Sequence, residues 1–284
     1  MTKAASVEVA ELTIEAGRTE RQYWQDLWRY RELFYFLAWR DLLIRYKQTV
    51  VGVTWSLIKP VLTMLILTMV GKVGKLPTGG APQPLFYFCA LLPWLFFSTA
   101  LSESGASLVN NSNLISKIYF PRLVVPASSI ITSFVDFLIS AVFLVLLMFY
   151  YRFTPPPQII LLPVFMLMLL ATSFGAGLWI AALMVKYRDF RFIVPFVVTF
   201  GVYASPVLLM TSMVPEHWHS LNARFIYSFN PMVGVIDGFR WCILGQQNMV
   251  YWPGFAMSFF MVILLVWTGI WYFRKTERTF ADVI

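Results

Sequence analysis

Long apolar runs recur along the chain from about residue 50 to its end. Six of them approach or exceed the roughly 20 residues that an α-helix needs to cross the hydrocarbon core of a bilayer. They occupy residues 50–70, 85–101, 123–151, 159–185, 192–210 and 251–273. Internal prolines are compatible with spanning helices, because neighbouring helices and water can satisfy the freed carbonyl groups. The pattern predicts an all-α membrane protein with a six-span domain over residues 49–284.

Before the first span, apolar residues recur at helical spacing over residues 22–48. One face of this helix carries Trp24, Leu27, Trp28, Tyr35, Ala38, Trp39, Leu42 and Tyr46. The other face carries Gln22, Gln25, Arg29, Glu32, Arg40 and Lys47. A large moment with many Trp and Tyr is typical of an amphipathic helix lying in the headgroup layer. Packing of this helix against neighbouring spans is the alternative.

Three further segments are polar or broken. Residues 1–21 hold four glutamates and no apolar run, which predicts a solvated cytoplasmic tail. Residues 102–121 form a polar connection with a short helix predicted near 108–118, capped by Ser107 or Asn110. Residues 211–250 are too apolar for a simple loop and are interrupted at Asn230-Pro231. They predict two short helices that re-enter the outer half of the membrane, or else an extracellular helical cap.

Composition agrees with a membrane protein, and charge fixes its direction. The chain is 59% hydrophobic and 13% charged, against roughly 25% charged residues in soluble domains. Sixteen of the 22 Lys and Arg fall before the first span, between spans two and three, between spans four and five, and after the sixth. The positive-inside rule then places both termini in the cytoplasm. Topology therefore accounts for the net charge of +8, and nucleic-acid binding is not indicated.

No catalytic or metal-binding constellation stands out. The GKVGK stretch at residues 71–75 has the wrong spacing for a phosphate-binding loop and lies on the outer side. His217 and His219 are too few for a closed metal site, and a surface loop is the simpler interpretation. The two cysteines, Cys89 and Cys242, predict two buried thiols rather than a disulfide bridge. These residues do not predict an enzyme.

Two acids lie at or within membrane segments, where ionisable residues are candidates for function. They are Glu103 and Asp136. The favoured interpretation is that each pairs with a nearby cation such as Lys59, or with backbone donors.

Aromatic residues make up 18% of the chain, and many lie inside the spans. Aromatic rings stack on the C–H faces of sugars without demanding a fixed register, which suits a long neutral polymer sliding through a pore. Aromatic packing and interfacial belts are the alternative, and they must account for most of these residues.

Six segments carry a resemblance to a known family. They are RDLLIRYKQTVVGVTWSLIKP (40–60), LLPWLFFSTAL (91–101), NSNLISKIYFPRLVVP (111–126), KYRDF (186–190), SPV (205–207) and NPMVGVIDGFRWCILG (230–245). In this order the chain resembles, from about residue 22 to its end, the membrane subunit of an ABC-type polysaccharide exporter. That family moves O-antigen, capsule or teichoic-acid polymers, and the segments specify the family much better than the polymer.

The resemblance implies a homodimer in the bacterial inner membrane with two separate ATPase subunits on its cytoplasmic face. ATP and Mg would bind to those subunits, and this chain would hold no cofactor, which agrees with the missing phosphate loop. The cargo would be a polysaccharide on an undecaprenyl lipid, entering from the cytoplasmic leaflet.

The resemblance also implies roles for parts of the chain. The segment near 108–118 would couple to the ATPase, with Asn111, Leu114 and Lys117 as its candidate residues. Residues 211–250 would gate the outer end of the channel, with candidates Phe225, Tyr227 and Phe229. The choice of channel-lining aromatics does not come from the resemblance: Trp55, Trp94, Phe97 and Tyr203 are assigned to the channel because they are aromatic residues within the spans.

Three other functions are alternatives to polysaccharide export. An ABC permease for a smaller lipid or drug cargo is the closest. A secondary transporter would couple to ions through intramembrane acids and often shows inverted repeats, but the sequence has no internal repeat. A membrane glycosyltransferase or acyltransferase would need a polar catalytic cluster at one interface, and none appears.

Overall fold

The structure is a computed structural model that describes residues 20–47, 54–215, 217–218, 221–245, 250–277 and 280. It is helical apart from one two-residue hairpin, β1 (His217–Trp218) with β2 (Leu221–Asn222). The helices are α1 (Glu20–Arg29), α2 (Arg31–Lys47), α3 (Thr54–Val73), α4 (Gln83–Asn110), α5 (Ser112–Ile115), α6 (Val124–Tyr150), α7 (Leu162–Lys186), α8 (Phe190–Gly201), α9 (Ala223–Tyr227), α10 (Pro231–Leu244) and α11 (Trp252–Glu277). Two 3₁₀ turns cover Pro157–Leu161 and Thr211–Met213. The predicted all-α class is confirmed.

Five helices in the described part are long and apolar enough to cross a membrane: α3, α4, α6, α7 with its preceding 3₁₀ turn, and α11. They match five of the six predicted spans to within a few residues, except that α4 runs nine residues further than predicted. The apolar window of α4 is 78% buried within the chain, against 22–33% for the other four. Helix α4 is therefore the central helix of the bundle.

The predicted span at 192–210 is not a long helix. Helix α8 has 12 residues, about 18 Å at 1.5 Å per residue, well short of the roughly 30 Å hydrocarbon core. Pro195 lies inside it, and residues 202–209 after it form turns and bends that include Pro206. A count of six long helices is thus not confirmed in the part of the chain that the structure describes.

The chain nevertheless returns across the bundle between α7 and α11, because these two helices run in the same direction. The rings of Phe165 and Phe255 lie 5.5 Å apart in their first turns. Further along both helices, the ring of Trp179 stacks on Tyr272 with centroids 4.2 Å apart. Since both helices begin at the same end of the bundle, residues 187–251 must lead back to it. Helix α8 and the irregular segment 202–209 begin this return.

The bundle has two ends with different neighbours. We call the end where α7 and α11 begin the α10 end, because Gly234 and Gly238 of α10 approach Ser258 and Phe165 there. The opposite end, the α2 end, is closed by a second apolar cluster. In that cluster Leu37 of α2 packs with one side chain from each of α4, α6, α7 and α11 and with a residue that follows α11: Leu108, Val124, Leu178, Phe273 and Phe280.

The predicted helix at 108–118 does not form as one unit. Residues 108–110 belong to α4, and α5 covers only Ser112–Ile115. The predicted caps are wrong, because the Ser107 hydroxyl donates to the carbonyl of Ser104 at 2.6 Å and Asn110 remains inside α4. Side chains bonded to the preceding turn allow a helix to continue through Ser and Asn. The N-cap position of α5 is instead occupied by Asn111.

The predicted apolar face of residues 22–48 is split. Leu27 and Ala38 pack towards the bundle. Four predicted face residues are exposed: Trp24, Trp28, Tyr35 and Trp39. The helix also breaks at Tyr30 into α1 and α2. The exposed aromatic side is compatible with a headgroup layer, and the interfacial position remains a prediction.

Helices α7 and α11 approach so closely that their backbones touch. A Cβ placed on Gly269 would lie 2.5 Å from the carbonyl oxygen of Gly175, and one on Gly175 would lie 2.8 Å from the backbone of Leu265. Small residues at such crossings let membrane helices pack through their backbones.

We expect Gly269→Leu to lower the thermal unfolding midpoint of the detergent-purified protein, because the side chain must separate the two helices. Overpacking of this kind costs about 1–3 kcal/mol. Ile263→Phe enlarges a side chain that is 54% exposed on the same helix and should leave the midpoint unchanged. Equal midpoints for both variants would contradict the backbone contact.

Candidate functional site

A charged cluster lies towards the α2 end, where four helices meet. The guanidinium of Arg45 on α2 binds the carboxylates of Glu103 on α4 and Asp136 on α6. All three side chains are mostly buried, with 23–31% of their surface exposed. The prediction that the two acids pair with a cation is therefore confirmed. The cation is Arg45, however, and not Lys59, which is exposed.

Hydroxyl groups donate further hydrogen bonds to the two acids. Asp136 accepts hydrogen bonds from Tyr46 and, at 3.0 Å, from Ser56 of α3. Glu103 accepts one from Ser133 at 3.1 Å. Burial and the bond to Asp136 raise the pKa of Tyr46, so its hydroxyl stays a donor at neutral pH. The acids are thus held by donors from α2, α3 and α6.

A second contact ties α2 to the predicted coupling residues. Arg40 donates to the side-chain oxygen of Asn111 at 2.7 Å and also pairs with Asp41. Leu114 is partly buried against the apolar cluster of the α2 end. Lys117 is exposed. Two of the predicted residues therefore hold this segment against the bundle, and the third faces outward.

The irregular segment after α8 is held by a buried arginine. Arg240 of α10 is 0% exposed and donates to the carbonyls of Pro206 and Val207, each at 2.6 Å. Its guanidinium also lies 4.1 Å from the centroid of the Phe86 ring. These carbonyls have no helical partner, so the arginine replaces the missing backbone bonds. That Arg240 is buried and holds backbone carbonyls was not predicted from the sequence.

Asn230 makes a second attachment between the same segment and α10. Its side-chain oxygen accepts from the backbone N–H of Met232, which caps α10. Its amide nitrogen donates to the carbonyl of Ala204 at 3.1 Å and to the hydroxyl of Ser205 at 3.0 Å. One side chain therefore starts α10 and fixes the irregular segment beside it.

The two short helices predicted within 211–250 are present as α9 and α10, and the chain breaks between them at Asn230-Pro231 as predicted. Nearly every residue of α10 is buried, and it packs on α4, α7 and α11. Protein thus surrounds this helix, as a re-entrant helix requires. Its depth in a membrane remains a prediction.

The predicted gate residues all lie on or just after α9. The rings of Phe225 and Phe229 meet edge to face at 5.9 Å and are 37% and 45% exposed. Tyr227 is partly buried, and burial raises the pKa of its hydroxyl. The structure therefore gathers the three predicted residues on one short element.

The predicted channel residues lie on different elements and differ in exposure. Trp94 is 5% exposed because it packs against Gly201 at the end of α8, and its ring lies 5.7 Å from Phe97. Tyr203 is 74% exposed. Trp55 belongs to α3, but its side chain lies outside the described residues.

Cys89 and Cys242 are free and buried, as predicted. The backbone of His217 lies in β1, whereas its side chain and the whole of His219 lie outside the described part.

Comparison with known proteins places the chain among membrane permeases. Residues 32–244 match the family described as ABC-2 type transporter. The O-antigen export system permease protein RfbA of Myxococcus xanthus is 28% identical over 262 residues, 92% of this chain and 98% of that protein. Two proteins of the same name from Klebsiella pneumoniae are 25% and 24% identical over 257 residues, 89% of this chain and 95% of each.

These matches agree with the architecture of five long apolar helices. The chain is a multi-pass protein of the bacterial inner membrane, homologous to O-antigen export permeases along most of its length. Because the family match takes in well over half of its 284 residues, the chain belongs to the ABC-2 type transporter family.

Proposed function

We propose that this chain is the channel-forming permease of an ATP-driven exporter that moves a lipid-linked, O-antigen-like polysaccharide out of the cytoplasmic leaflet. The observation that carries the proposal is the near full-length similarity to O-antigen export permeases, at 92% of this chain and 98% of the relative. A resemblance confined to the spans would specify a membrane protein and little more. Here it also includes the α2 segment and the α9–α10 region.

The complex is proposed to contain two copies of this permease and two ATPase subunits. Membership of the ABC-2 type transporter family supports the ATPase partner. Large apolar side chains exposed on α3, α8 and α11 supply surfaces for lipid and for a second copy: Ile66, Met69, Phe192, Phe196, Phe260 and Trp267. ATP and Mg belong to the partner subunit in this scheme.

The coupling surface is proposed at the α2 end, which faces the cytoplasm in this topology. Asn111 and Leu114 hold the α4–α5 junction to the bundle. Lys117, exposed beyond it, is free to contact the ATPase. Closure of the ATPase pair on ATP would then displace this junction.

The outer gate is proposed at α9, through the exposed rings of Phe225 and Phe229 with Tyr227 beside them. Channel-lining roles for Trp55, Trp94, Phe97 and Tyr203 are proposed for the assembled dimer. Rings along a pore would hold successive sugars weakly, and conduction needs shallow, repeated binding of this kind.

Reconstitution into proteoliposomes tests the proposal. With the cognate ATPase subunit, ATP and Mg, we expect undecaprenyl-linked polysaccharide added outside to become protected from an external glycosidase. The permease alone, or the complex with a non-hydrolysable ATP analogue, should give no protection. Ion-gradient-driven protection without the ATPase would indicate a secondary transporter instead. Transport of short lipids but not of polymer would favour the permease for smaller cargo.

A further inference from the structure

Helix α2 is attached to the bundle at two levels. Arg40 bonds to Asn111 at the junction of α4 and α5. Arg45, about 7.5 Å further along α2 at 1.5 Å per residue, binds Glu103 of α4 and Asp136 of α6. The two contacts hold α2 against the C-terminal half of α4, which leads directly into the proposed coupling segment.

The contact made by Arg45 favours one relative position of the helices that it joins. Two carboxylates from different helices share a single guanidinium, and each also accepts from a serine hydroxyl, Ser56 or Ser133. If α2 withdraws, two mostly buried acids are left facing each other without a cation, which is strongly unfavourable. The helices α2, α4 and α6 therefore keep their relative positions more strictly than apolar packing alone would require. Ser56 extends the contact to α3.

We propose that the cluster of Arg45, Glu103 and Asp136 is the joint that carries displacement of the coupling segment from α4 to α3 and α6. Arg45 acts as a positioning residue through the carboxylates of Glu103 and Asp136. This inference rests on the proposed function, because it requires that an ATPase drives the permease.

The first test compares Arg45→Gln with Lys47→Gln in the reconstituted complex. Both remove one positive charge from the last turn of α2, but Lys47 is exposed and outside the cluster. We expect Arg45→Gln to lower export about tenfold, within the usual range of coupling effects, while ATP hydrolysis stays within about twofold of the parent rate. Lys47→Gln should change neither. Normal export by Arg45→Gln, or hydrolysis that falls in proportion to export, would overturn the proposal.

The second test exchanges the charges. The double variant Arg45→Glu with Glu103→Arg keeps one cation and two acids in the cluster. We expect each single variant to lose export and the double variant to recover a substantial part of it. Because the double variant restores the charge balance, it remains informative even if a single variant does not fold. A double variant that folds and exports no better than the singles would overturn the joint.

The third readout does not depend on transport. A spin label on Ile44→Cys reports the last turns of α2, since Ile44 is 68% exposed and the native Cys89 and Cys242 are buried. We expect the label to become more mobile in Arg45→Gln and to stay unchanged in Lys47→Gln. Equal label mobility in the two variants would overturn the proposal that the cluster holds α2, whatever the export result. If the parent complex shows no ATP-driven export, the proposed function fails, and label mobility still decides whether the cluster fixes α2.

Discussion

Arg240→Met should leave little folded protein to extract from the membrane. The substitution keeps most of the side-chain volume but leaves the carbonyls of Pro206 and Val207 without their donor. It also leaves the buried carboxyl group of Asp237, one turn earlier, without the positive charge beside it. Each buried acceptor left without a donor costs about 1–3 kcal/mol. Yield after detergent extraction and the thermal unfolding midpoint measure the loss.

Arg224→Met is the matched control for this change. Arg224 also donates to two backbone carbonyls, those of Val214 and Ser212, both at 2.8 Å. These bonds lie near the surface, where water can replace the guanidinium, so the expected cost is about 1 kcal/mol or less. A similar loss in both variants, or none in Arg240→Met, would show that the buried arginine does not hold the irregular segment.

Ile115→Pro and Lys117→Glu should abolish ATP-driven export while the permease still inserts. The N–H of Ile115 donates to the carbonyl of Asn111 at 3.1 Å, and its side chain is 6% exposed in the cluster of the α2 end. Proline removes that bond and dislodges the segment. Lys117→Glu instead reverses the exposed charge that is proposed to meet the ATPase. Export, membrane content and co-purification of the ATPase subunit are the three measurements.

Lys72→Glu provides the comparison for the charge reversal. Lys72 is exposed at the far end of α3, away from the α2 end. It should retain export at the parent level. Full export by Ile115→Pro or Lys117→Glu would refute the assignment of the coupling surface.

Hydropathy predicted five of the spans because length and apolar composition are local properties of the sequence. The Asn230-Pro231 break was predictable for the same reason, since proline is favoured in the first turn of a helix after an Asn cap. The C-terminal end of α4 was not. Ser107 and Asn111 satisfy their polar groups on the preceding turn, so α4 continues through residues whose composition suggests a loop.

The partners of the charged residues could not be predicted, because they depend on long-range packing. Arg45 and Glu103 are 58 residues apart in sequence, and Arg240 binds carbonyls 33 and 34 residues before it. A signal for Arg240 was present, since it lies in an apolar stretch one turn after Asp237. An arginine in such a stretch is rarely solvated, so burial could have been inferred from the sequence, although the carbonyls that it binds could not.

The return between α7 and α11 also bears on biogenesis. Residues 202–209 carry backbone carbonyls that lipid cannot satisfy with hydrogen bonds. The side chains that donate to these carbonyls, Asn230 and Arg240, are synthesised later. This part of the nascent chain therefore cannot partition into the bilayer by itself as an ordinary helical hairpin does. We therefore expect residues 202–209 and α10 to be integrated together.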